Sequence, residues 1–270
     1  MSALSEEIAQ LDWYHTLELA PGVVTPGWLD TRAIVDRIPF PESLAGKRCL
    51  DVGTFNGFWA FEMERRGAEQ VVAIDVLEPR AWDWPARAEQ QTIDAIATRQ
   101  AGGRGFDIAK RELGSAVERL DRSVYELDPD ELGTFDVVYL GSLLIHLRDP
   151  VRALERVRAV CSGTLIVVDG IDPFLSLVMR RRPVATLEGL ARPWWWYPNV
   201  AALVRMVEGA GFDLVSPPRR LYVPPGSGWH LRRFRSPWAL RNREGRYALM
   251  VAWKGDPHLV LEARPAPLGA

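Results

Sequence analysis

The feature that most constrains this chain is a recurring alternation of short β-branched runs with helical stretches. The runs fall at 48–52, 71–76, 123–127, 135–140 and 164–169. Apolar strands separated by helices bury both faces of a sheet, so the pattern predicts a doubly wound α/β fold around a mostly parallel sheet. The clearest unit lies between the fourth and fifth runs. There Asp149 is placed to cap a helix with Pro150 at its first position, and Val151, Leu154 and Val157 follow at helical spacing. A later helix is predicted from Asn199, with Leu203, Val204 and Val207 on one face and a stop at Gly209 and Gly211.

After Phe212 the character changes. Pro217, Pro218, Pro224, Pro225, Gly226 and Gly228 interrupt the chain before a last strand-like run at 247–253, and this end reads as antiparallel. The segment 171–198 is long for an ordinary connection and rich in Arg, Pro and Trp, which predicts an insertion over the mouth of a site. Residues 1–44 precede the first sheet strand and read as an N-terminal cover segment, with 13–30 folding back over the same mouth. Residues 45–270 then form one large domain.

Composition excludes several classes. A formal net charge of −2 gives no global attraction to nucleic acid or to an anionic membrane. Cys49 and Cys161 are the only cysteines, both among apolar residues, so neither a disulfide framework nor a metal site is expected and a cytoplasmic location fits. The first ten residues carry Glu6 and Glu7 and lack a basic, then apolar leader, so no secretory signal is expected. No apolar run reaches membrane-spanning length, and no membrane partner is expected. Trp82 and Trp84, Trp194, Trp195 and Trp196, and Trp229 and Trp238 stand out among eleven tryptophans. Two readings stay open for them: rings lining a pocket, or rings filling space beneath loops.

The chemistry concentrates at successive strand tips. Asp51-Val52-Gly53-Thr54-Phe55-Asn56-Gly57 runs from a buried strand through a glycine turn into a helix. Ligands of open α/β sheets bind past the carboxyl ends of strands, and a side chain at Gly53 would hold a ligand off the backbone. The spacing is Gly-x-x-x-Gly, not the Gly-x-Gly-x-x-Gly that cradles a pyrophosphate, which favours a cofactor without phosphates. Asp75, with Val76 after it, ends the next strand, where a carboxylate can accept both hydroxyls of an adenosine ribose. Val124 and Tyr125 are placed at the third strand tip for the adenine edge. Tyr139-Leu140-Gly141-Ser142 opens the fourth strand into a pocket floor.

Taken in order, these elements resemble the class I S-adenosylmethionine (SAM)-dependent methyltransferases. Residues 51–57 match the family's Asp-x-Gly-x-x-x-Gly motif, Asp75 its ribose acid, and Phe135-Asp136-Val137-Val138 its fourth strand, over roughly residues 45–170. The resemblance implies SAM as cofactor, a seven-stranded sheet with an antiparallel terminal hairpin, and cofactor contacts from Asp51, Gly53, Thr54, Asn56, Gly57, Asp75, Val76, Val124, Tyr125 and Gly141. A narrower resemblance, carried by 143–150, by Trp195-Trp196-Tyr197-Pro198-Asn199 and by Ala210-Gly211-Phe212, is to the branch that includes bacterial methyltransferases of hydroxylated wobble uridine in tRNA. That branch also holds many proteins of other substrates, so the likeness does not name an acceptor.

Methyl transfer from a sulfonium is an in-line displacement, and a base is needed only where the acceptor must lose a proton. His146, five residues past Gly141, is the candidate base; its structural alternative is to brace the turn before Asp149. Tyr14 and His15 in the cover, and Trp194, Trp195 and Trp196 in the insertion, are candidate acceptor contacts. Asp169 and Asp172 follow the fifth strand without a His or Cys cluster, so no metal is expected. Arg180, Arg181, Arg182, Arg219, Arg220 and the arginines of 232–246 form either an anion-binding face or a solvated one. The expected reaction is methylation of a small-molecule acceptor at oxygen. A tRNA or other nucleic-acid acceptor is the alternative, and a non-catalytic SAM-binding protein the third reading.

Overall fold

The computed structural model describes residues 3–190, 193–229 and 243–267. We number in chain order the strands of the central sheet and the helices that flank it. The strands are β1 (Arg48–Val52), β2 (Gln70–Asp75), β3 (Glu118–Asp121), β4 (Phe135–Gly141), β5 (Cys161–Gly170), β6 (Phe212–Leu214), β7 (Arg219–Val223) and β8 (Asp256–Pro265). They lie in the order β3-β2-β1-β4-β5-β8, with β6 and β7 both paired to β8. Strands β1 to β5 run parallel, and β8 is antiparallel to β5, β6 and β7. The strand order reverses between β1 and β4, and a ligand crevice forms at such a switch.

Alternation along the central strands feeds two cores. Cys49, Val137, Tyr139, Ile166 and Val168 face one side, where they meet α1 (Phe58–Arg65), α3 (Arg104–Leu113) and the N-terminal residues Trp13, Leu17 and Ile34. Leu50, Val52, Val138, Leu140, Leu165 and Val167 face the other, against α4 (Pro150–Val160) and α6 (Val200–Gly209). Between α1 and α3 in the chain lies α2 (Gln90–Gln100). The cap read at Asp149 holds, and Asn199, where the later helix is predicted to start, caps it as well. The Asp149 carboxylate accepts the Arg152 N–H at 3.0 Å, and Asn199 Oδ1 accepts the Ala202 N–H at 2.8 Å.

Two expectations need correction. The third strand is Glu118–Asp121, and 123–127 instead holds a helical turn closed by Ser123 and Glu126, each side chain bonding the other's backbone N–H. That Ser-x-x-Glu spacing is a capping box and was present in the sequence. The run 247–253 lies inside a helix, α7 (Arg243–Lys254), with Ala248 and Val251 buried at helical spacing while Leu249 and Trp253 are exposed. The last strand is β8, one step further along. The expected seven-strand path is present, and β7 adds an eighth strand by lying end to end with β6 along β8, where Pro217 and Pro218 interrupt the ladder.

The N-terminal segment packs against the turn after β1. Trp13–His15 pairs parallel with Gly27–Leu29, and Tyr14 N–H donates to Asn56 Oδ1 at 2.8 Å, which docks the segment on the turn after β1. The insertion forms α5 (Pro173–Val178) and a small hairpin of Ala185–Leu187 with Trp196–Pro198.

Candidate functional site

The carboxyl ends of β1, β2, β4 and β5 open into one cavity of about 2100 Å³, roofed by the N-terminal segment, the insertion and α7. Buried acids build its floor. Asp51 lines the cavity, but its Oδ2 accepts the Thr54 hydroxyl at 2.7 Å and the Ala60 N–H at 3.1 Å, so it holds the turn after β1 to the helix that follows. Asp169 does the same after β4: its Oδ2 accepts the N–H groups of Leu143 and Leu144, both at 2.8 Å, and its Oδ1 that of Gly170. Burial pushes Asp51 up to about 7 and Asp75 up to about 6.

The turn itself is tight. Gly53 has φ +75°, and a Cβ there would stand 3.1 Å from Leu143 Cδ2. Gly57, at φ +88°, is filled from behind: a Cβ would come within 2.5 Å of the Phe61 ring. Gly57 therefore shapes the turn and does not line the cavity. Thr54 and Asn56 are likewise buried and committed to Asp51 and Tyr14, away from the main cavity.

Toward β2 and β3, the cavity meets Gly53, Asp75, Val76, Val124 and Tyr125. The Asp75 Oδ2 accepts the Phe55 N–H at 2.7 Å, and its carboxylate keeps lone pairs for further donors. Tyr125 is fixed by its hydroxyl, which donates to Asp83 Oδ2 at 2.8 Å and accepts the Asp149 N–H at 3.1 Å. A partly unsatisfied acid beside an apolar slot suits a ribose and a purine, and the Gly53 turn leaves backbone open beside them, so the residues present fit SAM.

At the other end stand Gly141, Ser142, His146, Tyr14, His15 and Trp194. His146 Nδ1 is 2.7 Å from the Pro193 carbonyl, which fixes the proton on Nδ1 and leaves Nε2 with the lone pair; burial holds its pKa below the ordinary value. His15 is buried, its Nδ1 has no hydrogen-bond partner among the described residues, and desolvation pulls it down to about 3, so it stays neutral. Trp194 packs near His146, their ring centres 6.4 Å apart. Its neighbours do not reach the cavity. Trp195 donates to the Asp83 carbonyl at 2.6 Å under the Arg148 guanidinium, and Trp196 donates to the Arg148 carbonyl at 3.1 Å. Trp229 lines the cavity, while Trp238 and Arg232, Arg233, Arg235 and Arg241 lie outside the described residues.

Sequence reasoning passed over Asp83 and His258. Asp83 sits in an irregular loop with no periodicity to mark it, yet its carboxylate joins Tyr125 to the Arg148 N–H. His258 lies in the strand misplaced by the reading at 247–253, and its Nε2 is 2.9 Å from Ser142 Oγ.

A parallel sheet with a reversal between β1 and β4, a glycine turn after β1 and an acid at the tip of β2 together define a class I SAM-dependent methyltransferase. A family model described as a methyltransferase domain matches residues 30–217, and the chain belongs to that family. Among curated proteins it is 27% identical over 181 residues to a tRNA U34 carboxymethyltransferase of Dichelobacter nodosus, covering 64% of this chain and 47% of that protein. It is also 27% identical over 240 residues to the protein of that name from Aeromonas salmonicida, covering 86% and 62%. The chain spans about half the length of the first of these relatives. Among solved structures, the N-terminal domain of EvdMO1 with S-adenosylhomocysteine (SAH) bound shares the fold at a TM-score of 0.53 and 14% identity, over 98% of this chain and 95% of that one. No helix among the described residues is long and apolar enough to cross a membrane.

Proposed function

We propose that this chain transfers a methyl group from SAM to an oxygen of a small-molecule acceptor, with His146 as the base. The observation that carries the reading is the roofed cavity, which runs from the Asp75 carboxylate to an aromatic end where His146 presents Nε2. When bound, SAM supplies an electrophilic methyl on a sulfonium. Asp75 holds the ribose, Gly53 lets the backbone lie against the methionine portion, and Val76, Val124 and Tyr125 flank the adenine. Tyr14, His15 and Trp194 hold the acceptor and exclude water, and His146 Nε2 takes its proton.

The relatives' names favour a second reading, transfer to wobble uridine of tRNA, and in those proteins the transferred group is a carboxymethyl. A carboxylate on that group calls for a cation near the acceptor end. Among the described residues, the Lys and Arg lining the cavity are Arg99 and Arg122. Calorimetric titration with SAM, followed by a screen of hydroxylated small molecules with methyl-labelled SAM, tests the first reading. Salt-sensitive retention of tRNA together with its labelling would replace the first reading with the second.

A further inference from the structure

The insertion carries an apolar surface that the methyl-transfer reading leaves unused. On α5, Phe174, Leu177 and Val178 are 69%, 64% and 58% exposed, and their spacing places them on one side of the helix. Ser176, on the opposite side, is buried: its hydroxyl donates to the Asp172 carbonyl at 2.6 Å and accepts the Val200 N–H at 3.1 Å. The helix is thus docked through a polar residue and turns its apolar side to solvent, the reverse of an ordinary surface helix. Leu187 and Leu190, in and just after the first strand of the neighbouring hairpin, are exposed as well. Helix and hairpin are joined. The Asp172 N–H donates to the Pro198 carbonyl, and Asn199 Nδ2 donates to the carbonyls of Met179 and Arg182.

The helix runs directly into Arg180, Arg181 and Arg182, all exposed. No acid stands between Pro173 and Leu187, and among the described residues none of the three arginines forms an ion pair. A net charge of −2 over the whole chain therefore hides a local excess of positive charge. Apolar side chains beside unpaired cations match one partner chemistry. Anionic lipid headgroups meet the arginines while the acyl boundary takes up aliphatic side chains. Nucleic acid would pair with the arginines but leave Leu177, Val178, Leu187 and Leu190 in water, since an aliphatic side chain has no ring to stack on a base. A two-fold pairing of this face would set the arginines of two copies on one small interface.

We propose that α5 and the arginines of 180–182 dock this protein reversibly on an anionic lipid surface. Phe174 also lines the cavity, with Asp172 and Pro173 beside it, so docking turns that rim of the cavity toward the headgroups. The expectation of no membrane partner rests on net charge and on the length of apolar runs, and neither senses a patch of this size. Docking needs no spanning helix, because the apolar side chains reach only the boundary between headgroups and acyl chains.

The test uses the full chain and two sets of vesicles, one of phosphatidylcholine and one of phosphatidylcholine mixed with phosphatidylglycerol. Co-sedimentation should show binding to the anionic set, weakened by about a hundredfold when Arg180→Gln, Arg181→Gln and Arg182→Gln are combined, since each arginine at the surface contributes roughly fivefold. Molar salt should abolish it. Cys49 and Cys161 are buried, so Leu177→Cys takes a polarity-sensitive dye selectively, and its emission should shift to the blue on anionic vesicles and not on neutral ones. No sedimentation with anionic vesicles overturns the proposal, as does sedimentation with the dye at position 177 unmoved. Retention of tRNA that the arginine variant loses, without vesicle binding, would assign the surface to nucleic acid. Self-association that Leu177→Asp abolishes, again without vesicle binding, would assign it to a second copy. Either result overturns lipid docking. SAM titration of the variants checks that the fold is intact and reads the methyl-donor site apart from the docking.

Discussion

The Asp75 carboxylate accepts the Phe55 backbone N–H at 2.7 Å, so the acid at the tip of β2 is tied to the turn that follows β1. Its role at the ribose and its role in the turn can be separated. Asp75→Ala should weaken SAM binding by at least about tenfold through loss of two charge-assisted bonds. Asp75→Asn keeps an acceptor for Phe55 and should retain the melting temperature while still binding SAM more weakly. Calorimetry with thermal melts of both variants reads the two effects, and unchanged affinity in either folded variant would remove Asp75 from the donor site.

Burial raises Asp51 to about 7 and Asp75 to about 6, both above the 3.8 of a free aspartate. Because the folded values lie above the unfolded ones, the stability linked to these groups is complete below about pH 4 and is lost as pH rises through about 6 and then about 7. The ligand-free protein should therefore melt at a lower temperature at pH 7.5 than at pH 5. Asp51→Asn, whose amide oxygen can still accept from Thr54 and Ala60, should reduce that slope. Stabilisation by added SAM should run the other way and grow as Asp75 ionises. Thermal melts across this range, with and without SAM, show both signs.

Gly53 and Gly57 should fail differently. A valine at Gly53 meets the flexible end of Leu143 at 3.1 Å and intrudes on the cavity, so Gly53→Val should fold with lowered stability and lose SAM binding. An alanine at Gly57 meets the Phe61 ring at 2.5 Å with φ at +88°, so Gly57→Ala should lower the yield of folded protein. Circular dichroism and SAM titration distinguish the two; normal SAM binding by folded Gly53→Val would show that the turn is structural only.

His146→Ala should lower turnover by about 10² to 10⁴ with SAM affinity nearly unchanged, because a base acts on the acceptor in the transition state. Since burial holds His146 below the ordinary 6.5, the acidic limb of the rate profile should lie below that value and vanish in the variant. A brace for the 144–149 turn would instead show as a lower melting temperature with the limb intact.

Trp194→Ala should raise the acceptor KM while leaving stability largely as it was, because the ring lines the cavity beside His146. Trp195→Ala should do the opposite. It removes the bond to the Asp83 carbonyl and the ring beneath Arg148, which tie the insertion to the 79–84 loop. Paired kinetics and melts of the two variants resolve the tryptophan run into a contact and a clasp.

The sequence by itself determined the parallel half of the sheet, because buried parallel strands are near-continuous apolar runs and their helices carry local caps such as Asp149-Pro150 and Asn199. It also determined the β1 turn and the acid after β2, since both are set by chain geometry within a few residues. It could not place the edge. Glu118–Asp121 is polar and short because an edge strand needs no apolar alternation, and the run at 247–253 satisfies a strand and a helix equally until α7 packs Ala248 and Val251 inward. What only the tertiary structure decided is which side chains of each motif face the cavity. Thr54, Asn56 and Gly57 stand within four residues of Gly53 yet turn inward, and one tryptophan of three reaches the site. The bond between Ser142 and His258 spans 116 residues and exists because β8 pairs with β5 beside the β4 tip, a relation between distant segments that no local spacing encodes.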